Sequence, residues 1–464
     1  MTAVLRSPAR SLSRSLPRLA AVALAASLVA ACGSDDYEDT DRPVRALPSS
    51  AQADAADQAD AATLAEAAVA FAQADHASRA RGLPSLYVDA AGSVPLDAGA
   101  TALAAFPGVV QDNLVASKAG YGAPIIEPEL KNPWGIAIRP AGKGGHFWLG
   151  AAGTGKSVQY VGDVGGTPLF QDALAIVETG GAVSGVAFNP GSGFVITQAH
   201  ANGPITAPTK FFFANLTGTI TAWTERVRPG GGFDHPLDSA VVVDGTARGS
   251  SFIGVTVTPD NQRMLAADFG ADAQLRVFDA TFTEQAPLPN PFRPASGKQP
   301  GGFEAFNVQT LGSSVFVGYG RQVPPDPTQP PPAEGRLAEF DNSGKLVARW
   351  FGRGFLNYPW GIAPAPKDFG LYAGCMLVGN FGDGTVVAFH PRLRVALDYV
   401  RDAAGKKVVI EGLWGLQFGN GESLGEANHL YFAAGVEKET EGLFGKLRAN
   451  PNTLPALSGL SICQ

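Results

Sequence analysis

The stretch NPWGIA at residues 132–137 returns as YPWGIA at 358–363 and as GLWGLQ at 412–417. Three further runs share this design without the Trp, namely SGVAF at 184–188, IGVTV at 253–257 and EAFNV at 304–308. Each run carries a small residue before alternating apolar residues, and these small residues are Gly135, Gly185, Gly254, Ala305, Gly361 and Gly415. Their spacings of 50, 69, 51, 56 and 54 residues indicate a repeat protein.

Each run is followed by two more β-type segments joined by a tight turn. The clearest example is CMLVGNFGDGTVVAF at 375–389, in which Asp383-Gly384 separates two apolar runs. Gly accepts the positive φ that such hairpin turns require. In the fourth unit a Pro-rich excursion at 321–335 replaces the turn, and it cannot join a sheet.

Six units of this kind predict an all-β fold, a six-bladed β-propeller of four-stranded antiparallel blades. A small residue is expected in each innermost strand, where the sheets converge, and Trp is expected to fill space near the top of the blade. The run FPGVVQDNLVAS at 106–117 is predicted to supply the outer strand of the last blade and to close the ring. Two stacked β-sandwiches are an alternative, but they explain the six-fold repetition poorly.

The N-terminal region is expected to lie outside this fold. Residues 1–31 combine four Arg with a short apolar run and predict a signal peptide. The run VAAC, ending at Cys32, resembles a bacterial lipobox, which implies lipidation of Cys32 and a lipid anchor in a membrane of the cell envelope, with the outer membrane favoured over the inner. The alternative is ordinary cleavage near Ala31. The remaining predicted boundaries are a tether at 32–105 with a helix at 50–81, the propeller at 106–450 and a tail at 451–464.

Charge and cysteine content limit the partners. Without residues 1–31 the chain has 31 basic residues (35 − 4) and 42 acidic ones, a net charge of −11. An acidic surface repels phosphate backbones, so a nucleic-acid partner is not expected. Cys375 and Cys463 can pair in an oxidising compartment; the alternative is one buried thiol and one free thiol near the end of the chain.

One nucleotide-binding motif is rejected. GAAGTGKS at 150–157 fits the P-loop pattern, but a P-loop needs a helix directly after its Ser. The residues after Ser157 alternate as in a β-strand, so no bound nucleotide is expected. The sequence also contains no CxxCH or HExxH motif.

Several of these segments resemble a known family. NPWGIA, GTITAW at 218–223, LVGNFGDGTVVAFHP at 377–391 and LYFAAGVEKETEGLFGKL at 430–447 look like an uncharacterised bacterial extracytoplasmic β-propeller family. Many of its members carry PEP-CTERM sorting tails, and its blade design is related to NHL-repeat and gluconolactonase-like propellers. The resemblance covers 109–447 and implies a fold and an extracytoplasmic address, but no established activity. The chain departs from the pattern by ending in ALSGLSICQ without such a tail.

The repeat places several polar and aromatic residues on one face of the ring. Inner-strand starts and second-strand ends share that face, so aromatic walls and oxygen ligands are expected around a central funnel. The candidate residues are Trp134, Asn215, Asp268, Trp360, Asn380, Asp383, Trp414 and Glu437, with Glu439 and Glu441 beside the last. The alternatives are turn chemistry for Asp before Gly, packing between blades for Trp and a solvated loop for the Glu residues.

Two functions are compatible with this arrangement. The first is a non-catalytic binding or scaffold module for a protein, glycan or small-molecule ligand, anchored by lipid. The second is a hydrolase or lactonase of gluconolactonase-like type, in which Asp268, Asn380 and Asp383 hold Ca²⁺, because carboxylate and amide oxygens are suitable ligands for this ion. No firm cofactor is expected under the first function, which is the favoured one.

Overall fold

The computed structural model describes residues 106–294, 297, 301–322, 334–452 and 461–463. Six four-stranded antiparallel blades follow one another around a ring, so the predicted six-bladed β-propeller is confirmed. The predicted signal peptide, Cys32, the tether and its helix at 50–81 lie outside the described residues.

The first strand in the sequence, β1, belongs to the last blade of the ring. β1 (Val109–Ala116) and the short β2 (Ile125–Ile126) precede blade 1. From the inner to the outer strand, blade 1 consists of β3 (Pro133–Ala137), β4 (Phe147–Ala151), β5 (Lys156–Tyr160) and β6 (Ile176–Glu178). The segments of blade 2 are β7 (Val183–Phe188), β8 (Val195–Gln198), β9 (Ile205–Pro208), β10 (Phe211–Asn215), β11 (Thr219–Trp223), β12 (Arg226–Val227), β13 (Phe233–Asp234) and β14 (Ala240–Asp244).

Only β7, β10, β11 and β14 form the sheet of blade 2. The pairs β8–β9 and β12–β13 are separate two-stranded hairpins inserted into the loops between its strands. These insertions account for the 69-residue gap between Gly185 and Gly254, which is the longest gap in the repeat.

The second half is more regular. Blade 3 consists of β15 (Phe252–Val257), β16 (Arg263–Asp268), β17 (Gln274–Asp279) and β18 (Glu284–Leu288). Blade 4 consists of β19 (Phe303–Leu311), β20 (Ser314–Arg321), β21 (Gly335–Phe340) and β22 (Leu346–Trp350), so the Pro-rich excursion joins its second and third strands, as predicted. Blade 5 consists of β23 (Pro359–Pro364), β24 (Met376–Asn380), β25 (Val386–His390) and β26 (Val395–Tyr399).

Blade 6 closes the ring with strands from both ends of the propeller. Its inner strands are β27 (Leu413–Phe418), β28 (Leu430–Ala434) and β29 (Leu443–Ala449), and its fourth strand is β1, which pairs antiparallel with β29 from Val109↔Ala449 to Ala116↔Leu443. This closure was predicted and is confirmed. The described helical turns are short, namely two 3₁₀ turns at Thr246–Arg248 and Gly370–Tyr372. Residues Val436–Glu439 form one further turn, in which 437–439 have a left-handed backbone.

The small residue of the inner strand is required by the approach of the neighbouring blade. A Cβ on Gly361 would lie 2.6 Å from the carbonyl oxygen of Trp414, and one on Gly135 would lie 2.5 Å from the backbone nitrogen of Val186. At Gly415 it would collide with the carbonyl oxygen of Trp134, where blade 6 meets blade 1. Backbone atoms cannot move aside as flexible side chains can, so the repeat preserves glycine at these positions.

The GAAGTGKS segment forms a β-hairpin. Its glycines lie in and after β4, and Lys156 and Ser157 begin β5, which pairs with β4. The predicted β-strand after Ser157 is therefore confirmed.

A disulfide joins Cys375, just before β24, to Cys463 near the end of the chain, with a Cα–Cα distance of 5.2 Å. Next to it, the amide of Ile462 donates to the carbonyl of Leu371 at 3.0 Å. The described part of the tail is thus fastened to the loop between the first two strands of blade 5.

Substitution of the ring-closing glycine is expected to destabilise the propeller. Gly415→Ala places a methyl group against the carbonyl of Trp134, and we expect it to lower the free energy of unfolding by about 2–4 kcal/mol in urea titrations. Gly193→Ala is the matched control, because its Cβ would meet Ala280 at an ordinary 3.4 Å. Equal stability of the two variants would contradict this account of the inner strands.

Removal of the disulfide is expected to destabilise the protein more than substitution of an exposed residue does. The bridge spans a sequence separation of 88 residues, and Cys463→Ser should lower the free energy of unfolding by about 2–4 kcal/mol. A reducing agent should lower the stability of the wild type to the same level and leave the variant unchanged. Insensitivity of the wild type to reduction would show that the bridge does not contribute.

Candidate functional site at the top face

The top face is the face that carries the starts of the inner strands and the turns between second and third strands. Trp134, Trp360 and Trp414 all lie there, and all three are buried. Trp134 and Trp414 stack with ring centroids 3.4 Å apart, and Trp360 meets their edges at 6.3 and 5.9 Å. The indole nitrogen of Trp360 donates to the carbonyl of Ile253 in blade 3 at 2.9 Å. Side chains from blades 1, 5 and 6 therefore meet on the axis as one aromatic plug.

Irregular strand pairing directs these side chains inward. In blades 1, 5 and 6 the register of the inner strand shifts across the Trp-Gly pair, between Pro133 and Ile136, between Pro359 and Ile362, and between Leu413 and Leu416. Such bulges re-aim a side chain away from the ordinary alternation of a strand. Two further rings complete the plug, with Phe381 stacked on Trp414 at 3.7 Å and Phe306 at 6.0 Å. The Trp residues thus fill the axis, whereas the sequence predicted that they form the aromatic walls of a central funnel.

The polar residues at second-strand ends are held by their own blades. Asp268 is fully buried; it accepts hydrogen bonds from the Ser250 hydroxyl at 2.7 Å and from the guanidinium of Arg276 at 2.6 Å. Asn380 accepts from the amide of Asn357 at 3.0 Å and donates to the carbonyl of Phe355 at 2.8 Å. These contacts fasten each turn to the entry of its own inner strand.

Asp383 and Asn215 occupy related turns. Asp383 accepts from the amide and hydroxyl of Thr385 at 3.1 and 2.6 Å, and burial raises the pKa of its carboxyl. Asn215 donates to the hydroxyl of Thr219 at 3.2 Å.

Within the described ranges, no group of three or more His, Cys, Asp and Glu residues has an arrangement that could hold a metal ion.

The loop after β28 has an unusual backbone. Glu437, Lys438 and Glu439 have φ values of 53°, 56° and 65°, three consecutive non-glycine residues in the left-handed region. Such conformations cost free energy in residues with a Cβ and persist only when the surroundings enforce them. Glu437 was predicted as a candidate residue because it follows the second strand of the last blade. Its local sequence pattern does not indicate a left-handed backbone.

The turn after β1 enforces this conformation. The ammonium of Lys118 pairs with the carboxylate of Glu437 at 2.7 Å, and the hydroxyl of Tyr121 donates to the same carboxylate at 2.6 Å. The hydroxyl of Ser117 donates to Glu441 at 2.6 Å. The contacts that close the ring therefore also hold the strained loop.

Glu439 reaches from this loop to the plug. Its carboxylate accepts from the indole nitrogen of Trp414 at 3.2 Å, and burial raises its pKa to about 8. The neighbouring Asn132 accepts from the indole nitrogen of Trp134 at 3.0 Å and itself has a positive φ of 47°. Around neutral pH the site thus presents a largely protonated carboxyl above stacked indoles. The sequence missed Asn132, although an Asn also precedes the Pro-Trp pair at 357–360.

No protein-family model matches the chain. An uncharacterised protein of Acanthamoeba polyphaga mimivirus is 29% identical over 341 residues, which cover 72% of this chain and 79% of the viral protein. A second uncharacterised protein of this virus is 27% identical over 340 residues, covering 72% and 84%. A third is 25% identical over 232 residues, covering 45% and 38%.

These relatives correct two expectations. They are viral, so the assignment to a bacterial extracytoplasmic family is wrong, although the propeller fold expected from it is correct. The predicted location, lipid-anchored in a bacterial cell envelope, conflicts with the same relatives and is not retained. Among the described residues, no helix is long and apolar enough to cross a membrane.

The raised pKa of Glu439 predicts a specific pH dependence. Its carboxyl has an ordinary pKa of 4.5 when unfolded and about 8 when folded, so the folded state binds more protons between these values. Stability should therefore be greatest below pH 4.5 with respect to this group, and should fall as the pH rises towards 8. Glu439→Gln keeps an oxygen that can accept from Trp414, and should be more stable than the wild type at pH 8 by roughly 1–3 kcal/mol.

Urea unfolding at pH 5 and pH 8 measures this difference. Glu437→Gln is the matched control. The hydrogen bonds from Lys118 and Tyr121 lower the pKa of Glu437, so this carboxylate is ionised at both pH values and its replacement should change the stability by about the same amount at pH 5 and pH 8. Parallel stability curves for the wild type and Glu439→Gln would refute the prediction.

Proposed function

We propose that the chain is a non-catalytic binding or scaffold module whose contact surface is the top face at the junction of blades 6 and 1. The β-propeller fold is consistent with such a role. The observation that carries the proposal is the run of three positive-φ residues at 437–439. Lys118 and Tyr121, which follow β1 in the sequence, hold this run in place. Backbone strain that is enforced in this way concentrates at binding and active sites.

The surface of this loop is suited to a polar partner. The side chains of Lys118 and Glu437 remain 45% and 48% exposed although they pair with each other, and Lys438 is also exposed. Beneath them lies the aromatic plug, which gives the loop a rigid support. A protein, glycan or small-molecule ligand can meet this charged surface, whereas the acidic character of the chain disfavours nucleic acids and nucleotides.

A calcium-dependent hydrolase or lactonase is less well supported. Such a site requires several oxygen atoms to converge on one ion. The carboxylate of Asp268 is instead engaged by Arg276, and that of Asp383 by Thr385. No specific observation in the described part of the chain favours this function.

The proposal is tested by screening the full chain against arrays of glycans, peptides and small metabolites, followed by affinity measurement on each hit. The double variant Lys118→Ala/Glu437→Ala should weaken binding at least tenfold, because it removes the pair that orders the loop. Arg392→Ala is the matched control, an exposed residue in the turn between β25 and β26 on the opposite face.

Hits whose affinity is unchanged in the double variant and lost in Arg392→Ala would contradict the proposed surface. Hydrolysis of lactones that requires Ca²⁺ and stops on addition of a chelator would contradict the non-catalytic role.

A further inference from the structure

The inserted hairpins of blade 2 form a projection on the base face, which is the face opposite the top face. β11 begins at the turn on the top face, so it ends at the base, where the β12–β13 hairpin follows it. We call residues 226–234 the base hairpin. Its residues 227–233 are exposed without interruption, so this segment projects from the propeller into solvent. The top-face proposal uses none of these residues.

The base hairpin is held to the protein by its polar face. Arg226 stands directly opposite Asp234, and their side chains pair at 2.7 Å. The guanidinium of Arg226 also donates to the carbonyl oxygens of Asn202 and Pro204 at 3.1 and 3.2 Å. The side-chain amide of Asn202 donates to the carboxylate of Asp234 at 2.9 Å. Since Asn202 and Pro204 lie in the turn between β8 and β9, the two inserted hairpins form one unit.

The other face of the base hairpin is apolar and points to solvent. Val227 and Phe233 stand directly opposite each other, one position from the Arg226–Asp234 pair, and successive side chains of a strand point to opposite faces. Val227 is 66% exposed and Phe233 is 48% exposed, whereas the side chain of Asp234 is only 5% exposed. Antiparallel sheets ordinarily bury their apolar face and expose their polar face. The base hairpin does the reverse.

Exposed apolar side chains concentrate in this part of the propeller. Nine large apolar residues are exposed in the described part of the chain, and five of them lie between positions 195 and 241 of blade 2, namely Val195, Val227, Phe233, Leu237 and Val241. Leu237 and Val241 are 62% and 59% exposed, and they lie on the segment that leads from the base hairpin into β14. Such a concentration is typical of a protein–protein interface.

The same region carries little charge that is free to meet a partner. Residues 179–224 contain no Asp or Glu, and the β8–β9 hairpin contains no Lys or Arg either. On the base hairpin Arg226 pairs with Asp234, and Arg228 lies 3.7 Å from the same carboxylate. The whole chain has a net charge of −7, so two copies repel each other in most orientations. Repulsion is weakest where both copies present a surface of low charge.

We infer that the base hairpin is the contact through which two copies of this chain form a dimer. A two-fold axis brings the same surface to both sides of a contact, and this is the commonest arrangement of soluble homo-oligomers. The face of Val227 and Phe233 then meets its own copy, and burial of apolar surface is favourable without any complementary charge. Recognition of a charged protein or of an anionic membrane would instead use charged groups on this face. Arg226 and Asp234 lie on the other face.

The dimer contact extends beyond the base hairpin. A stable interface involves about 20–30 residues of each partner, which is more than one short hairpin supplies. We therefore expect Leu237 and the outer strand β14 to be covered as well. Because the contact lies on the base face, the top face of each copy stays open, and the inference does not depend on the function proposed there.

The test is sedimentation equilibrium of the full chain over a concentration range from about 1 to 100 µM. We expect a dimer that dissociates on dilution. The double variant Val227→Ser/Phe233→Ser should raise the dissociation constant at least tenfold, because it removes the apolar side chains of the contact. Since both side chains face solvent in the single copy, this variant should keep the melting temperature of the dilute wild type.

Hydrogen–deuterium exchange at the two ends of this concentration range locates the contact without any substitution. Backbone amides of residues 226–241 should exchange more slowly in the concentrated sample. Those of β22 in blade 4 should exchange at the same rate in both samples.

Val347→Ser in β22 is the matched control, since this Val is 45% exposed on a different blade, and it should leave the dimer unchanged. Three results would overturn the inference: a monomer at every concentration, a dimer that Val227→Ser/Phe233→Ser leaves intact, or protection on concentration that is confined to other segments. A monomer that sediments with vesicles of phosphatidylcholine and phosphatidylglycerol would assign the base hairpin to a membrane surface and would equally overturn it.

Discussion

The close approach of neighbouring inner strands is the constraint on which this structure depends. Each blade brings its first strand so near to the next that a methyl group on Gly361 or Gly415 would collide with backbone atoms of the following blade. Five of the six inner strands have a glycine at this position and the fourth has Ala305. The succession of these approaches brings the chain back to its start, where β1 completes blade 6. The same convergence leaves a space on the axis that is wider than the backbones alone can fill, and the Trp residues beside these glycines occupy it.

Closure of the ring also determines where the backbone is strained. The N-terminal strand must be held against the last blade, and Lys118, Tyr121 and Ser117 achieve this by binding the acidic side chains of the loop after β28. That loop adopts a left-handed backbone and carries Glu439 to the indole of Trp414. The contacts that close the ring therefore also hold the candidate site at the top face. At the base, by contrast, the junction of blades 1 and 2 contains buried polar side-chain atoms that have no hydrogen-bond partner among the described residues.

The fold could be predicted from the sequence because its signals are local and repeated. The spacing of the small residues indicated six blades. The run at 106–117 has the pattern of a strand and precedes the first unit, so it was predicted to complete the last blade. The additional hairpins of blade 2 were missed, since segments of two to four residues carry too little periodicity to be recognised. The family resemblance rested on short blade motifs such as NPWGIA and GTITAW, which are informative about the fold but gave the wrong source.

The candidate site was less predictable, for physical reasons. Alternation along a strand cannot show that a bulge turns Trp360 onto the axis. The role of Asp268 depended on a partner, Arg276, that lies across a hairpin in the neighbouring strand. The pKa of Glu439 depends on burial created by residues from blades 1 and 6, which lie some 300 positions apart (439 − 132 = 307) in the sequence.

The most direct test of the central claim, that a solid aromatic plug fills the axis, is the quenching of native Trp fluorescence by acrylamide. All six Trp residues of the chain are buried, with exposures of 4% or less. The account predicts a blue-shifted emission maximum and uniformly weak quenching that rises to the level of free indole only on unfolding in urea. A strongly quenched fraction in the folded protein would show that Trp side chains face solvent, and would contradict the plug.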